Sequence, residues 1–575
     1  MKQYQNKLAG ILAYAMVCPM VMAAGVKFQG NSALSDEELN AVAVPLVMSG
    51  GVYKAAPKGA PDRIAISDLN ASKLSDEAIV TLLRSISEAY QARKIFAVQA
   101  TVTGADYGRF KGGAPLRVQV RENKISEVRV VPANPNEKLW EGTEDRVKNA
   151  VVVAPGDLVE MGRVEEGINL LNRHPRRYVE PYLRGEDGRL VLEYRVNQLN
   201  PYSGRFGFDT YGTNSGGELR LNGGFDFYNL LGTDDKLSGM AVAEPNLDTW
   251  ALALSYESAL DHTGRLKGIV SGTMSSYDSS QLGLGSLSND FSGDTYSIAG
   301  DISYTLHESG GMFVDATAGL RWLNVTQDSS SVGVEPVESD FLLAGLGISA
   351  SSLGRDVWWN VGVRVETNLP DIADTANEED LVRLGRTDVS RDFTYASLNA
   401  LYGRYIDEWF STENRRAHEI QINANAYASV SGDRLPPSFL FVAGGGDHVR
   451  GYSKAMISGD YGLFLSTNYT VHLPRLLDFG GSDGFRKRPR FAGDHTDWDL
   501  ALSYFVDAAY TEIASALPSE DNTWLLSTGV GLAYSYEDRF RANITLGVPL
   551  KEVESGRETI EVGDSRIDMG VSFYW

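Results

Sequence analysis

Cysteine is almost absent from this 575-residue sequence, which contains a single one, Cys18. Disulfide frameworks and cysteine-ligated metal centres are therefore excluded. Long hydrophobic runs are also missing, because after residue 24 no segment approaches the ~20 consecutive apolar residues that a membrane-spanning helix needs. Any part of the chain that enters a membrane must then do so as β-strands.

Basic residues are scarce relative to acidic ones, with 53 Lys and Arg against 75 Asp and Glu and a formal net charge of −22. Such a charge argues against binding of nucleic acid. The sequence also has no metal-ligand spacing, phosphate loop or nucleophile elbow. Its 7 histidines are scattered, and His448, the one in the most suggestive setting, has no nearby nucleophile. We therefore expect no catalytic residue, no cofactor and no metal site.

The first 24 residues have the features of a secretory signal peptide. Lys2 and Lys7 precede an apolar run from Leu8 to Met22, and residues 21–23 (Val-Met-Ala) satisfy the small-residue rule for cleavage. The one cysteine lies inside this segment. The mature chain is therefore expected to be exported and free of cysteine.

Residues 25–200 give mixed helix and strand signals in two units, 25–122 and 123–200. In the first unit, Ser35 and Glu38 form a capping box, and Ser75 caps a second helix that runs to about Arg93. A short strand precedes these helices and two strands follow them, and the second unit repeats this order. An unrelated pair of α+β domains is the alternative. Small sheets with exposed edges suit strand addition by an extended polypeptide.

From residue 201 to Trp575 the helical periodicity gives way to alternation of apolar and polar residues. Between residues 420 and 430, for example, apolar residues alternate with Gln421, Asn423 and Asn425, so one face of the strand is apolar and the other polar. Sixteen strands are predicted, an even number in the range of bacterial outer-membrane barrels. They are 204–211, 218–228, 235–243, 249–258, 265–277, 294–307, 311–324, 340–351, 356–368, 391–405, 417–431, 462–473, 497–510, 523–536, 539–550 and 565–575.

The long connections follow odd-numbered strands, as expected where loops face the cell exterior. They are residues 278–293, 325–339, 370–390 and 432–461. One even-numbered connection, 474–496, is also long, and a solvated insertion is favoured there over contact with anionic lipid headgroups. It contains Arg486, Lys487, Arg488 and Arg490. The last strand ends with Phe573 and Trp575 on its apolar face, which are interpreted as a C-terminal barrel-assembly signal.

The longest odd-numbered connection contains three consecutive glycines, Gly444–Gly446, followed by Val449-Arg450-Gly451-Tyr452. Glycines release the backbone from ordinary steric limits, so a loop here can fold tightly and direct one guanidinium group. A glycine-rich surface turn with a solvated arginine is the alternative.

The thirteenth predicted strand carries Phe505 and Asp507. Its alternation places Leu502, Tyr504 and Val506 toward lipid, so Asp507 faces the lumen. An arginine on a loop that folds inward and a carboxylate on the inner wall would form a charge-assisted, bidentate pair.

Paired α+β units before a sixteen-stranded barrel, with these two motifs, resemble the outer-membrane transporters of two-partner secretion, the haemolysin secretion/activation type. This family belongs to the superfamily of barrel-assembly proteins, and its α+β units are polypeptide-transport-associated (POTRA) domains. The resemblance covers nearly the whole mature chain. Further matching motifs are Leu171-Asn172-Arg173, Ser203-Gly204-Arg205, Asp209, Tyr211-Gly212 and Asn229-Leu230-Leu231-Gly232.

The resemblance implies periplasmic POTRA domains at 25–122 and 123–200 and a transmembrane antiparallel β-barrel at 201–575 in the bacterial outer membrane. It further implies that the POTRA domains capture an unfolded exoprotein of the adhesin or haemolysin class by its N-terminal secretion domain and pass it to the barrel. Arg450 would hold its loop inside by pairing with Asp507. The partners implied are this exoprotein, outer-membrane lipids and, during biogenesis, periplasmic chaperones and the barrel-assembly machinery.

Two departures from the family pattern concern gating and the identity of the exoprotein. The first POTRA strand starts almost at the expected cleavage site, so the plug helix of many family members is not expected. The first unit also has Arg93-Lys94-Ile95-Phe96 where a glycine-aromatic turn is usual, and an insertion from about Gly50 to Asp68.

Three other functions compete with secretion. An assembly factor of the same superfamily would share the barrel and the arginine loop, but it usually carries three or more POTRA units. A passive porin would explain the strands but not the periplasmic units. An outer-membrane enzyme would need a nucleophile with an oriented base, which the sequence lacks.

Overall fold

The computed structural model describes residues 25–57, 59, 63–212, 218–247, 249–278, 291–329, 336–372, 378–384, 386–410, 415–477, 498–518, 520–555 and 558–575. The predicted signal peptide and the four basic residues of the 474–496 connection lie outside these ranges. The described residues form two compact units. One comprises residues 25–129, Val153–Val164 and Leu183–Leu192, and the other comprises Val130–Val152, Glu165–Tyr182 and Glu193–Trp575. The domain boundaries drawn from the sequence remain predictions.

The elements before the barrel are short. The strands are β1 (Val26–Gln29), β2 (Ala43–Val44), β3 (Leu46–Ser49), β4 (Val52–Ala55), β5 (Ile64–Ala65), β6 (Ile95–Phe96), β7 (Val98–Thr101), β8 (Leu116–Glu122), β9 (Ile125–Pro132), β10 (Val159–Glu160), β11 (Arg177–Glu186) and β12 (Arg189–Gln198). The α-helices are α1 (Asp36–Asn40), α2 (Asp76–Ala92), α3 (Gly104–Lys111), α4 (Thr143–Val151) and α5 (Met161–Leu171), and Ile66–Asp68 and Ala71–Lys73 are 3-10 turns.

Helices α1 and α2 begin at the capping residues that the sequence indicates. The Ser35 hydroxyl accepts a hydrogen bond from the Glu38 backbone N–H at 3.2 Å, and the Glu38 carboxylate accepts one from the Ser35 backbone N–H at 2.9 Å. The Ser75 hydroxyl accepts from the Ala78 N–H at 3.1 Å. These bonds satisfy N–H groups that have no partner within the helix, and α2 then buries Ile86 and Tyr90 in the core of its unit.

The first unit contains more elements than the sequence patterns predict. Its main sheet has the order β1-β8-β7, with β1 parallel to β8. The first of the two strands expected after α2 is divided into β6 and β7 at Ala97, which has a φ of +60°. Helix α3 is not predicted by the sequence pattern, because Gly104 and Gly108 weaken its helical periodicity. In the structure the Thr103 hydroxyl caps this helix. In the hairpin of β3 and β4, strand β4 lies in the insertion expected from about Gly50 to Asp68, and β3 lies just before it.

A closed antiparallel barrel follows, and its strand number of sixteen confirms the prediction. Each predicted strand corresponds to one barrel strand, and only the residues at which the strands begin and end differ. The barrel strands are β13 (Tyr202–Asp209), β14 (Arg220–Tyr228), β15 (Lys236–Ala243), β16 (Trp250–Ala259), β17 (Leu266–Asp278), β18 (Phe291–Ser309), β19 (Met312–Ser329), β20 (Val337–Leu353), β21 (Val357–Asn368), β22 (Thr394–Tyr405), β23 (His418–Ser429), β26 (Tyr461–His472), β27 (Trp498–Glu512), β28 (Thr523–Tyr536), β29 (Phe540–Pro549) and β32 (Arg566–Tyr574).

The connections between barrel strands hold the remaining elements. They are α6 (Glu378–Arg383), β24 (Phe441–Ala443), β25 (Ile457–Gly459), α7 (Leu473–Leu476), β30 (Val553–Ser555) and β31 (Glu558–Ile560), with 3-10 turns at Asp407–Trp409 and Pro437–Phe439. In the part of the chain described, no helix is both long and apolar enough to span a membrane. We call the end of the barrel that carries the odd-numbered connections the loop end, and the opposite end the turn end.

The two faces of the barrel wall differ in exposure as the alternation predicts. On β27, Leu502, Tyr504 and Val506 are 47%, 51% and 38% exposed, whereas Phe505 and Asp507 are fully buried. Side chains of successive residues point to opposite faces of a strand, so the exposed set lies on the outer surface and the buried set in the lumen.

The barrel closes between its first and last strands, where Arg205–Asp209 of β13 pair with Gly570–Tyr574 of β32. The C-terminal residue continues this ladder, because Gly204 and Trp575 exchange backbone hydrogen bonds of 3.0 and 3.1 Å. The indole ring covers Gly204, where a Cβ atom would clash with it. Phe573 and Trp575 are 46% and 66% exposed on the outer surface.

Residues from several connections fold into the mouth of the barrel at its loop end. Leu381 and Leu384 are buried in one hydrophobic cluster with Phe439 and with Phe341 and Leu343 of β20. Phe341 and Leu343 share a face of β20 with Gly345, whose neighbour across the ladder is the lumen-facing Glu366. The cluster therefore fills part of the lumen rather than covering the rim.

A buried ion pair fastens these connections together. Arg386 pairs with both carboxylate oxygens of Asp460, which also accepts hydrogen bonds from the backbone N–H groups of Leu435 at 2.7 Å and Ala514 at 2.9 Å. The Arg386 guanidinium donates to the Leu435 carbonyl at 2.7 Å. Three connections thus depend on one carboxylate that is fully buried.

We expect Arg386→Met to lower the free energy of unfolding by about 3–5 kcal/mol, because Asp460 would stay buried without its cation. The measurement is denaturant unfolding of the purified protein in detergent. Arg84→Met is the control: its pair with Glu88 is 80% and 55% exposed, and such pairs are worth less than about 1 kcal/mol. Equal stability of the two variants would contradict a structural role for the buried pair.

Candidate functional site

The connection between β23 and β26 folds into the barrel lumen. Val449 and Tyr452 are fully buried, and they belong to one hydrophobic cluster with Phe464 of β26 and Leu525 of β28. Phe464 and Leu525 lie two residues from Ser466 and Ser527, whose cross-strand neighbour is the lumen-facing Asp507. The motif 449–452 therefore lies inside the barrel and not on a surface turn.

Arg450 and Asp507 are in direct contact. The Arg450 Nε and Nη2 atoms donate to Oδ2 and Oδ1 of Asp507, each at 2.7 Å, so the pair is bidentate. The backbone N–H of Arg450 donates to Oδ2 at 3.1 Å, and the Ser466 hydroxyl donates to Oδ1 at 2.7 Å. These four hydrogen bonds match the acceptor capacity of a carboxylate.

The ring of Phe505 completes the surroundings of the guanidinium group. The Arg450 Cζ atom lies 3.4 Å from the centre of this ring, close enough for a cation–π interaction. The Arg450 Nη2 atom also donates to the Asn468 side-chain oxygen at 2.9 Å. A lysine offers neither the planar fork nor the stacking surface, so the site is specific for arginine.

Because the contact is buried, Arg450 and Asp507 depend strongly on each other. The Asp507 side chain is 0% exposed and that of Arg450 17%. A carboxylate buried this deeply is costly unless it is paired with a cation and hydrogen-bonded. Removal of either partner would leave the other charge in a site shaped to neutralise it.

Gly451 allows the motif to lie directly against the barrel wall. Its φ of +95° is in the left-handed region, and a Cβ atom there would lie 2.9 Å from the carbonyl carbon of Gly547 on β29. Beside it, the Tyr452 hydroxyl lies 2.7 Å from the Lys551 carbonyl oxygen and 2.9 Å from that of Leu526. The backbone of the loop and that of the wall are therefore in contact over several residues.

The structure adds residues to this site that the sequence analysis did not identify. Ser466 and Asn468 lie on the lumen face of β26, and their two-residue spacing opposite Asp507 is the signal that could have indicated them. Farther along the loop, Asp447 lies 3.7 Å from Arg220 of β14. The ring of His448 packs edge-on against Phe464 with their centres 5.3 Å apart, which is a packing role.

A second polar network joins Arg146, Arg173 and Arg177 to the turn end of the barrel within the same compact unit. Arg177 and Arg146 both pair with Asp234 in the turn between β14 and β15. Arg173 contacts Asp315 of β19 with a bidentate pair of 2.7 and 3.0 Å. Burial alone would raise the pKa of Asp234, but the charge and hydrogen bonds of Arg177 outweigh it and lower this pKa to about 2.

His174 lies in the middle of this network without a charge. Its ring packs edge-on against Trp140 and Tyr228, and its Nδ1 accepts a hydrogen bond from the Arg176 backbone N–H at 3.2 Å. Burial, and then the nearby Arg177 charge, lower the pKa of His174 to about 4. The imidazole is therefore neutral at physiological pH.

The turn end also contains a cavity of about 1520 Å³. It is lined by lumen residues of β13–β17 and β29, and by residues of the 130–201 segment such as Trp140 and Arg176.

In the described part of the chain, no group of three or more His, Cys, Asp or Glu side chains is placed to hold a metal ion.

A closed antiparallel barrel with an apolar outer surface, and with an arginine-bearing loop held in its lumen, defines a bacterial outer-membrane channel protein. Residues 188–481, just over half of the chain, match the family model described as "Haemolysin secretion/activation protein ShlB/FhaC/HecB". The chain belongs to this family of outer-membrane transporters.

Individual relatives are distant in sequence. The "Outer membrane transporter CdiB" of Dickeya dadantii (strain 3937) is 21% identical over 421 residues, which is 68% of this chain and 65% of that protein. The solved structure of "CdiB from Escherichia coli" has a TM-score of 0.65 at 16% identity, over 99% of this chain and 92% of that one. A BamA structure from Haemophilus ducreyi that lacks POTRA domains 1–3 has a TM-score of 0.50 at 14% identity, over 87% and 94% of the two chains. Both structures show the fold.

We expect Gly451→Ala to release the loop, because the new Cβ would meet the Gly547 backbone. A clash of this kind costs about 1–3 kcal/mol. Trypsin cleavage at Arg450 in the folded protein should then be roughly tenfold faster or more. Gly432→Ala is the matched control, since Gly432 also has a positive φ of +79° but nothing within 4 Å of a Cβ. Equal cleavage rates in the two variants would show that the contact does not hold the loop.

The network around His174 should weaken in mild acid. Its pKa of about 4 lies below the ordinary value of 6.5, so the unfolded chain binds a proton first and stability falls as the pH drops from about 6.5 to 4. The loss is on the order of 3 kcal/mol. His174→Phe keeps the ring packing without the titration. Thermal unfolding as a function of pH should show a flatter profile over this range in the variant, and an unchanged profile would refute the assignment.

Proposed function

We propose that this protein is the outer-membrane polypeptide transporter of a two-partner secretion system. In this proposal it takes an unfolded exoprotein of the adhesin or haemolysin class from the periplasm and passes it through the barrel. The observation that carries it is the bidentate contact of Arg450 with Asp507, because it joins the two motifs on which the resemblance to this transporter family depends. The name of the Dickeya relative, an outer membrane transporter, supports the same function.

In this proposal the arginine contact is the element that opens. While it is formed, the loop occupies the lumen between β26 and β29, and an exoprotein cannot use that volume. Tyr452 and Val449 add apolar and hydrogen-bonding contacts that hold the loop when no exoprotein is present. Release exchanges this set of contacts for contacts with the exoprotein.

In the same proposal, the residues before the barrel capture the exoprotein. We assign residues 25–122 and 123–200 to two periplasmic POTRA domains that bind the N-terminal secretion domain of the exoprotein. Small sheets such as β1-β8-β7 have edge strands, and an extended segment can pair with an edge. Residues 1–24 would direct export, and Phe573 with Trp575 would be recognised by the barrel-assembly machinery.

No chemical step is part of this function. We propose that transport proceeds without catalysis, cofactor or nucleotide. The residues that carry it bind and release polypeptide, as expected for a member of a transporter family.

A barrel-assembly factor is the second candidate, because the BamA structure shares the fold with a TM-score of 0.50. The two functions differ in what is lost when the protein is removed. Loss of a transporter abolishes export of one exoprotein, whereas loss of an assembly factor lowers the amounts of many outer-membrane barrels. A passive porin would instead show steady conductance that is independent of Arg450.

We expect Arg450→Ala to abolish export of the exoprotein encoded nearest to this protein, while the barrel still inserts. Export is measured as exoprotein in the medium, and insertion as channel activity of the purified variant in planar bilayers. The intact protein should give fluctuating channels. The double variant Arg450→Asp with Asp507→Arg, compared with each single reversal, tests whether the contact itself matters.

Two results would count against this function. Steady, large conductance together with export that does not depend on Arg450 would indicate a porin. Depletion of unrelated barrels from the outer membrane of cells that lack the protein would indicate an assembly factor.

A further inference from the structure

Three amide side chains follow one another on the lumen face of β23. Gln421, Asn423 and Asn425 alternate with Ile420, Ile422 and other apolar residues that face outward. Their cross-strand neighbours on β26 are Asn468, Ser466 and Phe464, the same lumen face that contacts the Arg450 site. We call these three residues the amide ladder.

The amide ladder has unused hydrogen-bonding capacity. Among the described residues, none of its three side chains makes a hydrogen bond to another side chain or to the backbone, and all three are partly exposed. Several charged groups elsewhere on the wall are paired with each other, as Arg321 is with Glu366 and Arg364 with Asp301. The ladder is therefore a run of amide groups on the lumen face that is uncharged and open to a ligand.

The spacing of the ladder matches that of an extended polypeptide. Residues i, i+2 and i+4 of a strand repeat at about 6.8 Å, so the ladder extends for about 14 Å along the wall. The peptide groups on one edge of an extended chain repeat at the same distance. Each amide both donates and accepts, so it can pair with a backbone N–H and C=O whatever the side chains are.

A fourth amide widens this surface. Asn399 of β22 is the direct neighbour of Asn425 in the sheet and is exposed to the lumen. The side chains of Asn399 and Asn425 lie opposite each other and have no hydrogen-bond partner among the described residues. An extended chain can therefore bind to the amide of β22 or to that of β23.

We propose that the amide ladder binds the main chain of an unfolded polypeptide as it passes through the lumen. The proposal deepens the transport function given above and rests on it, because it identifies the ligand of the wall as an extended backbone rather than a particular sequence. Uncharged amides suit this task, since they hold a chain of any composition without the strong attraction that a charged wall has for opposite charges.

The residues at the two ends of the ladder differ, so a polypeptide in the lumen meets different surroundings at each end. At its turn end, Glu419 contacts His472 at 3.2 Å. At its loop end, the Tyr427 hydroxyl donates to the Phe439 carbonyl at 2.6 Å, and Phe439 belongs to the hydrophobic cluster in the barrel mouth. A polypeptide that follows the ladder from the turn end therefore approaches this cluster at the far end.

The test uses the purified full-length protein in planar bilayers and a soluble glycine-serine repeat peptide of about 30 residues, long enough when extended to cross a membrane. In the ladder variant Q421M/N423L/N425L, we expect peptide-induced current blockades to shorten about tenfold, since three hydrogen-bonding sites are lost. The control S271A/T273V/S275A removes polar groups at the same spacing on the lumen face of β17, and blockades should change less than about twofold. N423Q/N425Q keeps the amides and should behave as the intact protein.

A second measurement keeps the proposal testable if the ladder variant does not insert. A benzophenone side chain introduced at Asn423 should crosslink the peptide in the otherwise unchanged protein, and one at Thr273 should not. Equal blockade times in the ladder variant and the β17 control, absence of blockades in the intact protein, or equal crosslinking at both positions would overturn the proposal. Export of the exoprotein is measured separately, so failure of the transport function itself is distinguishable.

Discussion

Closure of the backbone hydrogen-bond ladder is the constraint on which the rest of this structure depends. A strand edge exposed to hydrocarbon would leave N–H and C=O groups without partners at a cost of several kcal/mol each. Pairing of β13 with β32 removes both edges, and the exchange between Gly204 and Trp575 extends it to the last residue of the chain. A closed wall then has one outer and one inner face, which fixes where every side chain of a strand must point.

The inner face is the reason that this barrel contains so many ion pairs. Lumen residues are shielded from bulk water by the wall and by the loops folded between the strands, so an unpaired charge there is costly. Asp507 and Asp460 are both fully buried, and each is surrounded by an arginine and by N–H or O–H donors from other segments. These two carboxylates hold the loop motif and the loop-end cluster in the lumen.

These two contacts leave a defined part of the lumen open. The Arg450 loop fills the side next to β26–β29, and the cluster of Leu381, Leu384 and Phe439 fills the loop end. The large cavity at the turn end and the amide ladder of β23 lie outside both. In the proposed transport, a polypeptide that enters from the turn end would replace the few buried polar contacts that hold these two segments in the lumen.

By itself, the sequence determined the barrel, the number and order of its strands, and the face of each strand on which Phe505 and Asp507 lie. These properties are local, since strict alternation has a period of two and a shift of one residue would reverse every side chain. The short elements of the first unit were less predictable. Helix α3 contains two glycines, and the split of β6 from β7 depends on one residue with a positive φ.

Only the tertiary structure decided which residues meet across the lumen. Arg450 and Asp507 are 57 residues apart, and the sequence predicts their contact only on the condition that the loop folds inward, which nothing local to either residue requires. Ser466, Asn468 and Gly547 belong to the site because strand register and the inward fold of the loop bring them together. The Arg386–Asp460 pair could not be predicted for the same reason, because it joins connections whose positions are set by the closed wall and not by their own residues.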